Sequence, residues 1–69
     1  MQPTAYRICV RGRLTERLGS VFAEQHMFVE AGPSNTALTG VVQDQSHLFG
    51  LLDRVRDLGL ELVSVQPVD

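Results

Sequence analysis

QSHLFGLLDRVRDLGLELVSV, residues Gln45–Val65, holds two elements and the junction between them. Leu48, Leu51, Leu52, Val55 and Leu58 recur at helical spacing, and Asp53, Arg54, Arg56 and Asp57 take the opposite side. That spacing predicts one amphipathic helix from Gln45 to Leu58. Asp44 is its best N-cap, with Ser46 a competitor, and Gly59 stands where a left-handed residue closes a helix. Leu60 to Val65 then reads as a strand, and Pro67 marks its end. Its apolar residues fall on both faces, Leu60 and Leu62 on one, Val63 and Val65 beside Glu61 on the other. A strand that hides one face alternates strictly, so Val63 and Val65 are expected to need a cover supplied by another protein molecule.

Upstream, Ala5 to Leu14 alternates, with Tyr6, Ile8 and Val10 on one face and Arg7, Cys9 and Arg11 on the other, which predicts a strand. Thr15 then caps a short helix through Glu24 with an apolar stripe of Leu18, Val21 and Phe22, weakened by Gly19. Gln25 to Glu30 suits a second strand. Ala31-Gly32-Pro33-Ser34-Asn35 is turn chemistry, and Thr36 to Val42 returns as a third strand. The order is therefore strand, helix, strand, strand, helix, strand. Two right-handed βαβ-like halves joined by a hairpin give an α+β, ferredoxin-like domain over residues 1–69: a four-stranded antiparallel sheet with both helices on one face.

A chain of 69 residues buries only about 60% of the surface its unfolded form exposes, which leaves stability marginal and makes association a natural remedy. The single cysteine, Cys9, closes no internal disulfide, and no Cys/His spacing indicates structural zinc. No apolar run approaches the roughly 20 residues that span a bilayer, and Met1 to Thr4 lacks the parts of a signal peptide. The expectation is a soluble, cytoplasmic chain with no cofactor. Its net charge is −2, yet Arg7, Arg11, Arg13 and Arg17 cluster near the start with only Glu16 opposing them. Every basic residue is arginine.

With the helices taking Tyr6, Ile8, Val10, Leu60 and Leu62, the opposite sheet face is expected to carry Arg7, Cys9, Arg11, Glu61, Val63 and Val65. Apolar residues interrupted by charges of both signs suit a self-complementary interface or a ligand groove better than a solvated face. Scattered exposed apolar residues are the plainer explanation.

Other constellations are thinner. Cys9 lies two residues from Arg7 and from Arg11, where guanidinium groups would favour a thiolate, but no partner base or resolving cysteine accompanies it. His26 and His47 are well separated and form no metal-ligand spacing, although His47 is placed to make a local polar pair with Asp44. Asp53 and Asp57 beside Arg54 and Arg56 look like a solvated helix face rather than paired catalytic carboxylates. Arg11, Gly12 and Arg13 stand at a strand-to-helix junction, where free backbone N–H groups would favour a small anion, without a glycine-rich phosphate fingerprint.

Val10-Arg11-Gly12-Arg13-Leu14 resembles the first-strand end of acylphosphatases, which share the ferredoxin-like layout; alanine follows Phe22, where that family's loop ends in arginine. Residues 48–65 look like the helix, glycine and strand of ACT-type regulatory domains, a resemblance that implies association through sheets or edges and amino-acid binding at the joints. The whole layout, with Tyr6-Arg7 early and residues 58–65 late, is similar to a type of short uncharacterised actinobacterial protein, a likeness that brings no activity. RNA-recognition domains share the strand order, but the aromatic pairs of their central strands are missing, so nucleic acid is not an expected partner.

The expectation is a small non-enzymatic interaction or oligomerisation module working through an open sheet face or edge, with self-association or a protein partner and no membrane. The alternative is a regulatory domain that captures a small anion or amino acid at a subunit boundary beside Arg11, Gly12 and Arg13.

Overall fold

Strict alternation along the first strand divides the molecule into two sides. In the computed structural model, which describes residues 2–68, this strand is β1 (Thr4–Arg11), followed by α1 (Glu16–Glu24), β2 (Phe28–Ala31), β3 (Asn35–Val42), α2 (Gln45–Asp57) and β4 (Leu62–Pro67). The strands pair antiparallel in the order β2-β3-β1-β4, the ferredoxin-like α+β arrangement that the element order predicts. Met1 and Asp69, the ends of the expected 1–69 domain, lie outside the described residues.

Both helices face the even-numbered residues of β1 and β3. Ile8, Val10, Leu38 and Val42 join Phe22 of α1, Leu51 and Val55 of α2, and Met27 in one buried cluster. Each such side chain contributes about 1.5–3 kcal/mol by leaving water. The one buried polar side chain among the described residues, Thr36, donates its hydroxyl to the Gly12 carbonyl at 2.7 Å, so no polar group is left orphaned there.

Both helix starts follow local chemistry. The Thr15 hydroxyl accepts from the Leu18 N–H at 3.2 Å, and Asp44 Oδ1 accepts from the His47 N–H at 2.8 Å. Asp44, not Ser46, is therefore the cap. The His47 ring turns back, and its Nδ1 accepts the Gln43 N–H at 3.0 Å, a variant of the reciprocal capping box.

The two helix ends are alike in a way the sequence conceals. After α2 the Gly59 N–H donates to Arg56 and the Leu60 N–H to Val55, with Gly59 at φ 73°. After α1 the His26 N–H donates to Ala23 and the Met27 N–H to Phe22, with His26 at φ 63°. Both are Schellman motifs, each closed by an apolar pair, Leu60 with Val55 and Met27 with Phe22. This corrects the expected strand from Gln25: Gln25 and His26 complete the helix exit, and β2 starts only at Phe28. Gly40 of β3 lets this exit approach the sheet, because a Cβ there would lie 2.6 Å from Met27 Sδ and 3.1 Å from the His26 carbonyl oxygen.

The last strand carries the main correction. Ser64 pairs with Cys9 but Leu62 pairs with Val10, so Val63 is an extra, unpaired residue in a β-bulge. Beyond it the strand changes phase. Val65 pairs with Ile8 and packs against the helix-side core, as does Leu60, although five residues separate them. In an unbroken strand that separation would put them on opposite faces.

Candidate functional site

Residues paired across antiparallel strands share a face, so the register maps the helix-free side of the sheet row by row. Phe28, Thr39, Arg7 and Gln66 make one row, and Glu30, Ala37, Cys9 and Ser64 the next. Asn35 and Arg11 follow, with Arg11 joined to Glu61 through the backbone at 2.9 Å. Val41 and Ala5 pair at the other end. Phe28 is 69% exposed and Val41 53% exposed, the two most exposed large apolar side chains on the sheet. Thr39 and Ala5 adjoin them, and Ala37 and Cys9 fill the row beyond Phe28, all four half-buried.

Of the six residues expected on this face, Arg7, Cys9, Arg11 and Glu61 are there. Val65 is not, because the bulge turns it toward the helices, and Val63 is the bulge residue itself, 47% exposed on the edge strand β4. The apolar component that sequence reasoning assigned to those valines is supplied by Phe28 and Val41. Their signal was the alternation of β2 and β3, legible only once the register of the 31–35 turn is known.

Charges of both signs interrupt the apolar residues. Arg11 Nε donates to Glu61 Oε2 at 2.8 Å, a pair exposed enough to contribute about 0–1 kcal/mol. Arg7 and Glu30 are exposed, of opposite sign, and make no ion pair among the described residues. Between them the face dips into a hollow of about 480 Å³ floored by Cys9, Ala37 and Asn35. Cys9 is a free, half-buried thiol.

At the strand-to-helix junction the Gly12 N–H donates to the Ser34 carbonyl at 2.7 Å, and its own carbonyl accepts from Thr36. The Arg11 and Gly12 N–H groups are therefore not among the free donors expected at this junction: the backbone there braces the β2–β3 turn, and the Arg11 side chain is engaged by Glu61. Arg13 is exposed. His26 and His47, far apart in the chain, come to the rim of one hollow with Glu24 and Gln43. Among the described residues no three His, Cys, Asp or Glu side chains converge to hold a metal ion. Asp53 and Asp57 each approach Arg56, at 3.5 and 3.6 Å, on an exposed helix side, as the spacing predicts. Among the described residues no helix is long and apolar enough to cross a membrane.

Fold and surface together define a ferredoxin-like α+β module with one sheet face uncovered. The chain belongs to the family described as a domain of unknown function, DUF8691, whose model matches residues 5–66. No curated protein and no solved structure matches it.

Proposed function

We propose that this chain is a non-enzymatic interaction module that docks, on its own kind or on another protein, through the helix-free face of its sheet. The observation that carries this reading is the placement of Phe28 and Val41, more than half exposed, on a face whose other apolar members are small. A shallow field of alanine, cysteine and threonine lets a partner surface come close, and an aromatic residue beside it is the usual anchor. The central strands present no aromatic side chain there, which disfavours stacking of nucleic-acid bases. The likeness of residues 48–65 to ACT-type domains, which associate through sheets or edges, points the same way.

Sedimentation velocity over a concentration series tests the face. Phe28→Asp and Val41→Asp are expected to abolish association without unfolding the chain, whereas Phe49→Asp, at an exposed position of α2, leaves it intact. Association that survives Phe28→Asp removes this face from consideration.

A further inference from the structure

We infer that the occupant of the open face is a second copy of this chain, stacked sheet against sheet about a two-fold axis that sets Arg7 of each copy against Glu30 of the other. This inference rests on the docking reading above and adds the partner and its orientation.

A two-fold interface must be self-complementary: if one position meets a second across it, the second meets the first. Arg7 and Glu30 meet that condition. Both are exposed on the same face, carry opposite charges and have no ion-pair partner among the described residues. They lie on β1 and β2 with β3 between, and one paired row apart. By ordinary strand spacings that places their Cα atoms roughly 12 Å apart, and the two side chains do not meet within the chain. The hollow between them, floored by Cys9, Ala37 and Asn35, leaves room for the partner's long side chains.

One axis satisfies both contacts, lying in the plane between the sheets and bisecting the line from Arg7 to Glu30. Its other consequences on the observed register are favourable. Ala37 of one copy comes over Cys9 of the other, small on small, so the sheets can approach to about 10 Å. The two Phe28 rings meet near one end of the axis. At the other end the two Arg11–Glu61 pairs, each neutralised within its own chain, lie side by side. The strands cross at roughly 70°, within the scatter of the near-orthogonal class of sheet packing. No two like charges are opposed.

The test is a charge swap read by sedimentation velocity. The wild-type chain is expected to dimerise, more weakly as salt is raised. Arg7→Glu and Glu30→Arg, both at exposed positions that leave the core untouched, should each weaken the dimer about a hundredfold or more, since both contacts become repulsive. Mixing the two variants in equal amounts should restore a dimer, because each contact between unlike copies again opposes acid to base. Circular dichroism confirms that each variant is folded, and Arg7→Gln with Glu30→Gln, which remove charge without reversing it, repeat the loss at smaller amplitude. A wild-type chain monomeric at millimolar concentration overturns the second-copy inference. A wild-type dimer whose charge variants do not recover on mixing overturns the Arg7–Glu30 axis and leaves the docking face standing; association indifferent to Phe28→Asp overturns the face itself.

Discussion

His26 shows how a single residue can hide an element boundary. It occupies the left-handed position that Gly59 occupies at the end of α2, and it makes the corresponding hydrogen bond to the C2 carbonyl. Gly59 announces itself because glycine reaches positive φ without a Cβ penalty. A histidine between Gln25 and Met27 announces nothing, and the apolar run Met27-Phe28-Val29 pulls the apparent strand backwards over it. The left-handed conformation costs a residue with a Cβ about 1–2 kcal/mol, partly offset by the extra freedom glycine brings to the unfolded chain. His26→Gly is therefore expected to stabilise the fold by about 0.5–1 kcal/mol, measured by urea unfolding. A loss of stability would mean that the imidazole makes a contact worth more than the strain it relieves.

At the scale of elements, caps and periodicities were legible and strand phase was not. Thr15, Asp44 and Gly59 act where their chemistry places them, since each needs partners only three to five residues away. The bulge at Val63 has no such local cause. Leu60, Leu62, Val63 and Val65 are all apolar, so any register buries something, and the pairing with β1 decides which. Deleting Val63 removes the one residue of β4 without a partner and keeps Leu62 beside Val10 and Val65 beside Ile8. The deletion is expected to fold and to lose no more than about 1 kcal/mol, the scale of an ordinary surface change. If the phase of β4 did not turn on that residue, the deletion would expose Val65 or Leu60 and cost about 3 kcal/mol or more, as core losses do. Chemical denaturation separates the two outcomes.

For the whole molecule, the stability of so short a chain and its proposed association are one quantity. A partner that binds only the folded state adds to the unfolding free energy in proportion to the logarithm of its concentration. The wild-type melting temperature is accordingly expected to rise with protein concentration, while that of Phe28→Asp stays constant. A wild-type melting temperature independent of concentration would separate folding from association and count against a dimer.

The element order, the ferredoxin-like topology, the N-caps Thr15 and Asp44, the Gly59 exit and the helix-facing residues of β1 could all be read from the chain alone, because periodicity and capping arise from neighbours along it. So could the open-side position of Arg7, Cys9 and Arg11, since β1 alternates without interruption, and that of Glu61, which lies between Leu60 and Leu62 ahead of the bulge. Only the tertiary pairing shows that Val65 belongs to the core, that Val63 is a bulge, and that Phe28 and Val41 rather than those valines are the large apolar residues of the helix-free sheet face. Such choices depend on the hydrogen-bond register between strands remote in sequence, where one extra residue reverses every face beyond it and leaves no trace in composition or spacing.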